Sequence, residues 1–294
     1  MSQLLQMRQR IKAIETIQKI THAMQLISMS THVRLREKKT RIEEYQLALQ
    51  SIFKKVIAQS SSWHNPIFFP TQPIDAHPLI ILIGSQKGLC GTFNINLFSK
   101  FEKDIQRGRF PHASIISIGK RATDYLNKKI PTLPIPLQLI HSFNESSSSL
   151  ASVIVSAIMN TITHAQPSYS QVIVYSNYSA TFFTQRQQTV ILIPTDLQSQ
   201  PDEFEHQEEF IWEDSPTTIL DALATHYLQA SLYDIVIKSL LAEQAARFIS
   251  MDNATRNAES LRDLMKLHYN KIRQAKITKE LTELSVSFQQ DLSS

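Results

Sequence analysis

The sequence predicts an α/β fold combined with a coiled coil, in which long antiparallel N- and C-terminal helices form a rod and a central segment forms a Rossmann-like α/β domain. All five glycines and all twelve prolines lie within residues 66–216. Because Gly and Pro are the residues least compatible with helix interiors, the stretches 1–65 and 217–294 are predicted to be long shaft helices. Within 66–216 the pattern changes to short apolar runs ended by glycine, which is typical of buried parallel strands.

The N-terminal stretch carries a regular apolar stripe. Its spacing is close to the 3.5-residue period of a left-handed coiled coil. The stripe comprises Leu4, Met7, Ile11, Ile14, Ile17, Ile20, Met24 and Ile27, and it resumes from Ile42 to Val56. The C-terminal stretch has a less regular stripe that begins at Leu220 and continues from Leu261 to Phe288.

The lengths of these helices decide how the stripes are buried. At 1.5 Å per residue, the first helix would be about 95 Å long and the last about 115 Å long, which exceeds the width of a compact domain. We therefore expect the two stripes to pack on each other as an antiparallel rod that projects from the central domain. A helical bundle with a turn near residues 28–31 is the alternative.

The central segment alternates strands and helices. Strands are expected at "PLIILIGS" and "SIISIG", followed by helices over residues 94–106 and 120–129. A third helix, "SSSLASVIVSAIMNTITHA", has a serine as its candidate N-cap. Two further strands, "QVIVYSNYS" and "TFFTQRQQTVILIPT", suggest a hairpin. This alternation predicts a small layered α/β domain.

Composition excludes several classes of protein. Cys90 is the sole cysteine, so an internal disulfide is impossible, which fits a reducing compartment. No run of 18 apolar residues is present to span a bilayer. The N-terminus does not match a secretory signal, although its basic amphipathic pattern leaves a mitochondrial presequence as an alternative.

Positive charge is concentrated in the first helix. Residues 1–65 carry 11 Lys and Arg against 4 Asp and Glu, whereas residues 66–216 carry 10 against 13 and residues 217–294 carry 9 of each. A basic helix is suited to nucleic acid, an anionic membrane or acidic protein loops, and a solvated helix face is the simpler alternative.

The glycine loop after the first strand does not match a nucleotide-binding motif. A P-loop requires a lysine after its second glycine and then a hydroxyl residue, but here Lys87 precedes Gly88. The spacing of Gly84, Gly88 and Gly91 also fails the dinucleotide pattern. We therefore interpret the loop as structural, with Asn94 available to cap the next helix.

Catalytic and metal-binding patterns are sparse. The ten histidines are scattered, and Cys90 has neither a cysteine partner for zinc nor an assignable base. The acidic cluster 202–214 is interpreted as a solvated linker. The sequence therefore predicts no catalytic residue, no cofactor and no metal site, although a nucleotide-dependent enzyme and a basic coiled-coil adaptor remain open alternatives.

Three motifs resemble those of one known family. These are "MRQRIKAIETIQKITHAMQLIS", "KGLCGTFNINLF" and "LLAEQAARFISMDNATRNAESLRDLMKLHYNKIRQAKITKELTEL". In this order they resemble the gamma subunit of F-type ATP synthases. The chain departs from the usual family pattern at 85–87, His22, Thr92 and Lys279, which indicates a divergent member.

The resemblance implies a non-catalytic rotor shaft. Its expected partners are the alpha and beta subunits, the epsilon subunit and the c-ring, with no nucleic acid. Its expected location is the cytoplasmic face of the bacterial inner membrane, as a peripheral protein. The subunit-contact residues that it implies are Lys19, Met24, Gln25, Arg247, Gln274, Thr278 and Glu280. The structural loop that it implies contains Lys87, Gly88, Cys90 and Gly91.

Overall fold

The computed structural model divides the chain into two compact units. One unit comprises Met1–Ser28 with Phe248–Ser294, and the other comprises Met29–Arg247. The residues that the structure describes are 2–57, 63–70, 73, 77–108, 110, 112–132, 136–145, 147–194 and 213–291.

Five α-helices and five strands make up the described chain. The helices are α1 (Ser2–Ile57), α2 (Phe93–Gln106), α3 (Lys120–Lys129), α4 (Ala151–Thr163) and α5 (Pro216–Asp291), with a short 3-10 turn at Ile130–Thr132. The strands are β1 (Pro78–Ile83), β2 (Ala113–Ile118), β3 (Leu137–Phe143), β4 (Gln171–Thr181) and β5 (Thr184–Ile193).

Both terminal stretches form long helices, as predicted. Helix α1 has 56 residues and α5 has 76. Helix α1 continues without a break through residues 28–31, so the alternative of a turn there is wrong. Helix α1 ends at Ile57, before the predicted limit of 65, and residues 58–62 lie outside the described chain. Among the described helices, none combines the length and the apolar character that crossing a bilayer requires.

In the first unit, α1 and α5 pair through a heptad seam. The less exposed positions of α1 alternate in steps of four and three, and those of α5 do the same. The α1 positions are Met7, Ile11, Ile14, Gln18, Thr21, Gln25 and Ser28. The α5 positions are Met251, Thr255, Ala258, Arg262, Met265, Tyr269, Ile272 and Lys276.

Polar contacts show the direction of this pairing. As residue numbers rise along α1, the numbers of the α5 partners fall, so the helices are antiparallel. The pairs are Glu15 with Lys266 at 3.1 Å, Gln18 with Arg262 at 3.1 Å, Thr21 with Thr255 at 2.7 Å and Gln25 with Asp252 at 3.0 Å.

The predicted stripe leaves this seam after Ile14. Ile17, Ile20 and Ile27 are 52%, 54% and 65% exposed, so their assignment to the seam is wrong. The isoleucines from 11 to 20 follow one another in steps of three. A three-residue step falls half a residue short of the 3.5-residue period, so successive steps rotate the stripe away from the partner helix. Polar residues take the vacated seam positions.

In the second unit, five strands form one sheet in the order β3-β2-β1-β4-β5. Strands β1 to β4 run parallel and β5 runs antiparallel to β4, which confirms both the Rossmann-like prediction and the hairpin. The edge strand β3 was not predicted. One of its residues is buried, three are half-buried and three are exposed, in an order that gives neither a continuous apolar run nor a strict alternation.

The sheet is buried on both faces. Alternate residues of β1 divide between two cores, with Ile81 and Ile83 on one face and Ile80 and Leu82 on the other. Helices α1, α4 and α5 cover the first face, while α2 and α3 cover the second. This double covering explains why β1 and β2 are apolar throughout.

The N-cap prediction for α4 is wrong. Leu150 occupies that position, and its side chain makes no capping hydrogen bond. The neighbouring hydroxyls of Ser147 and Ser149 contact each other instead, at 2.9 Å. A serine-rich run therefore marked the region of the helix start without identifying its cap.

The backbone segments that follow β1 and β2 cross in close contact at two glycines. Gly119 has a φ of +91°, and a Cβ atom there would lie 2.3 Å from the carbonyl oxygen of Gly84. A Cβ on Gly84 would lie 2.9 Å from that of Ala122. This close approach explains the glycine at the end of each of these strands.

Replacement of Gly119 tests this crossing. We expect Gly119→Ala to lower the free energy of unfolding by about 3 kcal/mol or more, because backbone atoms must separate. The matched control is Gly108→Ala, where φ is +69° but nothing lies within 4 Å of the added carbon. Its cost should be about 1 kcal/mol. Urea unfolding of the purified chain measures both values, and equal losses would contradict the crossing.

The position of the seam is tested with two isoleucines. Ile14 is 9% exposed and Ile17 is 52% exposed, although the sequence placed both in one stripe. We expect Ile14→Ala to destabilise the helix pair by about 2 kcal/mol and Ile17→Ala by less than about 0.5 kcal/mol. Amide hydrogen exchange in α1 around each site is the measurement. A larger effect at Ile17 would show that the predicted stripe is the true seam.

Candidate functional site

The glycine loop, residues 84–92, lies at the point of the sheet where a nucleotide would be expected. It follows β1, and β1 pairs with β2 on one side and β4 on the other. In sheets with this strand order, ligands bind beyond the carboxyl ends of the strands where the order reverses. The contacts of the loop therefore decide whether a ligand can bind there.

A buried ion pair on α5 holds the glycine loop. Arg247 donates to the carbonyl oxygens of Lys87 and Gly88 at 3.2 and 3.4 Å. Its Nη2 also lies 2.5 Å from Glu243 Oε1, and both side chains are almost completely buried. The Glu243 carboxylate accepts the backbone N–H groups of Gln86 and Lys87. Glu243 thus pairs with N–H groups of the loop, and Arg247 pairs with carbonyl oxygens of the loop.

This arrangement leaves the loop unsuited to phosphate. Burial raises the pKa of Glu243, while the Arg247 guanidinium opposes that rise and favours the charged carboxylate. The Glu243 carboxylate accepts hydrogen bonds from backbone N–H groups of the kind that bind a phosphate. Its negative charge would also repel a phosphate at this position. The described geometry therefore gives no support to a nucleotide-dependent enzyme that uses this loop.

Asn94 and Ser85 fix the other side of the loop. The Asn94 Oδ1 accepts the Ser85 N–H at 2.9 Å, and its Nδ2 donates to Ser85 Oγ at 2.7 Å. The prediction that Asn94 caps α2 is wrong, because its amide is used in this way and Thr92 occupies the N-cap. Cys90 is buried beside Phe93, and burial raises the pKa of its thiol.

The loop glycines have different reasons to be glycine. A Cβ on Gly88 would lie 2.8 Å from Nη2 of Arg121, whereas Gly91 is in open space with a φ of +58°. Leu89 also has a positive φ, of 63°, and its side chain is 59% exposed. The loop therefore combines a tightly held backbone with one outward apolar side chain.

The contact residues expected on α1 lie in the first unit. Lys19 is exposed and Met24 is half-buried. Gln25 is half-buried and donates to Asp252, so it belongs to the helix seam as well. Lys19 is therefore the fully accessible member of this group.

The contact residues expected near the end of α5 are solvent-facing. Gln274, Thr278 and Glu280 are all exposed. Glu280 pairs with Lys276 at 3.4 Å, one helical turn away. Their exposure suits contact with another chain and equally suits a solvated helix face.

Arg247 differs from the other expected contact residues. Its guanidinium is used within the chain, by Glu243, Gln244 and the glycine loop. Sequence reasoning missed Glu243, the residue that completes this pair. An acid four residues before an arginine on one helix, within the apolar stretch "LLAEQAAR", was the available signal.

No group of three His, Cys, Asp or Glu side chains is positioned to hold a metal ion in the described residues. Of the acidic cluster 202–214, all but Glu213 and Asp214 lie outside the described residues.

The fold and site together define a class of protein. An antiparallel pair of terminal helices is combined with a Rossmann-like sheet whose ligand position is filled by the chain's own ion pair. By its fold, the chain therefore belongs to the class of proteins that combine long paired terminal helices with a Rossmann-like sheet.

Comparison with known proteins identifies the family. A family model described as ATP synthase matches residues 3–289. The ATP synthase gamma chain of Clostridium perfringens (strain SM101) is 32% identical over 286 residues, which cover 96% of this chain and 95% of that protein. The gamma chain of Symbiobacterium thermophilum is 28% identical over 277 residues, or 94% of each chain. The chain therefore belongs to the ATP synthase gamma chain family.

Solved structures agree at the level of the fold. The rotor of the Euglena gracilis mitochondrial ATP synthase in rotational state 1 matches with a TM-score of 0.59 and 17% identity, covering 94% of this chain and 99% of that one. A chain of the OSCP/F1/c-ring assembly of the same Euglena gracilis enzyme, in rotational state 3, matches with a TM-score of 0.63 and 16% identity. The match covers 98% of this chain and 94% of that one.

Substitution of Arg247 tests the clamp on the glycine loop. We expect Arg247→Met to cost about 3–5 kcal/mol, because Glu243 is left as an uncompensated buried charge. The control, Arg247→Met with Glu243→Gln, removes that charge and should recover part of the loss. Urea unfolding gives the stabilities, and reaction of Cys90 with a thiol reagent reports loop opening. Equal reactivity of Cys90 in the parent and Arg247→Met chains would contradict the clamp.

Proposed function

We propose that this chain is the central stalk of a rotary ATP synthase and couples rotation of a membrane c-ring to the conformational cycle of the catalytic beta subunits. The observation that carries the proposal is the family match over residues 3–289. The antiparallel helix pair of the first unit supplies the element that can turn inside a ring of alpha and beta subunits. In this proposal the chain itself performs no bond chemistry.

The mechanism requires the stalk to treat the catalytic subunits unequally. An effector shifts a conformational equilibrium only through its different affinity for the states. A symmetrical shaft would contact three beta subunits alike and bias none of them. Residues 2–28 of α1 carry four Lys or Arg against one acid, whereas residues 248–291 of α5 carry seven against six, so the two helices present differently charged surfaces.

The contact residues are those that the family resemblance implies, and their accessibility is compatible with that role. We assign Lys19 and Met24 on α1, and Gln274, Thr278 and Glu280 on α5, to contacts with beta subunits, with Gln25 supporting them through Asp252. For Arg247 we propose a positioning role instead, since it fixes the glycine loop from within the chain. Lys87, Gly88, Cys90 and Gly91 would then form a structural loop.

Further partners and the location belong to the same proposal. The α/β domain would contact the epsilon subunit and the c-ring, and the complex would hold the chain at the cytoplasmic face of a bacterial membrane as a peripheral protein. A basic coiled-coil adaptor is not favoured, because the similarity extends through the sheet as well as the helices.

Reconstitution tests the proposal. The purified chain is mixed with alpha and beta subunits of its own source, and the assembled complex is assayed for ATP hydrolysis and, with the membrane sector, for ATP-driven ion pumping. We expect stoichiometric co-purification and pumping that requires the chain. ATP hydrolysis by the chain alone, or its failure to assemble, would overturn the proposal.

A charge change at Met24 probes the contact with beta. A new cation at a half-buried contact adds an interaction of about 1 kcal/mol, which corresponds to roughly a fivefold change in rate. We expect Met24→Lys to lower ATP-driven pumping by about that factor while assembly is retained. The control, Ala23→Lys, adds the same charge at an exposed neighbouring position. Unchanged pumping in Met24→Lys, or an equal loss in the control, would refute the assignment.

A further inference from the structure

A cavity of about 330 Å³ lies between α5 and β5 in the second unit. Its volume is within the range of about 300–1,000 Å³ that is typical of small-molecule sites. Val190 and Leu192 of β5 and Leu228 of α5 give it an apolar wall. The opposite wall is polar and includes Ser231 and Asp234 of α5. We call this space the α5–β5 cavity.

Asp234 brings an unsatisfied acceptor to the cavity. The residue is 6% exposed, and its Oδ1 is buried with no hydrogen-bond partner in the described chain. Its other oxygen, Oδ2, lies 2.6 Å from Nζ of Lys238. Burial raises the pKa of Asp234, and the hydrogen bond from Lys238 opposes that rise. A buried acceptor without a donor is destabilising, so a molecule that donates to Oδ1 would relieve that cost.

Two hydroxyl groups of α5 line the cavity beside this carboxylate. The Ser231 hydroxyl accepts a hydrogen bond from Gln46 Nε2 at 3.3 Å, and the Tyr227 hydroxyl accepts one from Gln50 Nε2 at 3.3 Å. Because each hydroxyl acts as an acceptor in these bonds, its own hydrogen can be donated to a ligand. Tyr227, Ser231 and Asp234 follow one another in steps of four and three, which places them on one helix face. That face therefore offers two donors and one acceptor.

The charges around the cavity are already balanced. Lys238 pairs with Asp234 and also lies 3.6 Å from Glu43 on α1. Glu43 in turn pairs with Lys39 at 3.1 Å. Two cations thus face two carboxylates. A charged ligand would bring an uncompensated charge into this half-buried network, so the site favours a neutral molecule.

We infer that the α5–β5 cavity binds a small neutral molecule whose polar end both donates and accepts hydrogen bonds, as a primary carboxamide does, and whose body is apolar. The ligand N–H donates to Asp234 Oδ1, and the ligand carbonyl oxygen accepts from the hydroxyl of Ser231 or Tyr227. The apolar body packs against Leu192 and Leu228. This ligand site goes beyond the proposed function and does not depend on it.

Three probes of equal size test the ligand class. Benzamide is neutral and carries the carboxamide, benzoate is its anionic counterpart, and benzylammonium is a cationic one. Each is titrated into the purified full chain, and saturation-transfer NMR measures binding. We expect benzamide to bind with a Kd on the order of 1 mM, as suits so small a molecule. The two charged probes should bind at least about tenfold more weakly. Equal binding of all three, or binding of none, would show that the cavity holds water only and would overturn the inference.

Substitutions test the role of Asp234. We expect Asp234→Asn to weaken benzamide binding about tenfold, because the hydrogen bond to a charged acceptor is lost. The matched control is Asp124→Asn, which makes the same change at a half-buried position on α3, across the sheet from the cavity. Ser231→Ala removes one hydroxyl and should weaken binding a few-fold. It serves as the second variant if circular dichroism shows that Asp234→Asn does not fold. Parent-like affinity in the folded cavity variants would contradict the site.

Two further readouts locate the bound probe without any substitution. With labelled leucine methyl groups, benzamide should shift the NMR signals of Leu192 and Leu228, which line the cavity. At a concentration about ten times its Kd, it should also raise the Tm of the chain by about 3 °C, because it binds only the folded state. Shifts confined to leucines outside the cavity would assign benzamide to another place and overturn the inference.

Discussion

Antiparallel contact between α1 and α5 is the constraint on which each compact unit depends. In the first unit the two helices bury a common heptad seam, since neither has another apolar surface to cover it. In the second unit the same two helices meet again through Gln46 with Ser231 and Gln50 with Tyr227. There they also cover one face of the sheet. A sequence that lost this pairing would expose the seam and the part of the first sheet face that α1 and α5 cover.

A second dependence links the sheet to α5. The glycine loop after β1 has backbone groups that need partners, and the Glu243–Arg247 pair supplies both a donor and an acceptor from within the chain. The position at which sheets of this topology bind cofactors is thus occupied here by contacts between the glycine loop and α5. The fold is shared with nucleotide-binding proteins, but the chemistry of the site is different.

Much of this architecture was predictable from the sequence. The absence of Gly and Pro outside 66–216 identified both long helices, and apolar runs ended by glycine identified β1 and β2. The seam was not predicted correctly beyond Ile14. The apolar pattern assigned outward-facing isoleucines to the seam, and it gave no sign that the polar residues Thr21 and Gln25 belong there. Strand β3 escaped because an edge strand buries too little surface to leave a periodic signal.

The site was less accessible to sequence reasoning. The glycines marked the loop, but only tertiary contact shows that Asn94 bonds to Ser85 instead of capping α2. The roles of Arg247 and Glu243 depend on a loop more than 150 residues away in sequence. Local patterns carry no information about such distant partners, whereas the long helices are determined by local spacing.

The polar half of the helix seam has a mechanical consequence. Thr21 with Thr255 and Gln25 with Asp252 are joined by hydrogen bonds of 2.7 and 3.0 Å. Dispersion contacts between aliphatic side chains depend little on direction, whereas a hydrogen bond is lost when one helix shifts along the other by a single residue. These hydrogen bonds resist sliding of one helix along the other, so the helix pair is expected to turn as one body when one of its helices is twisted.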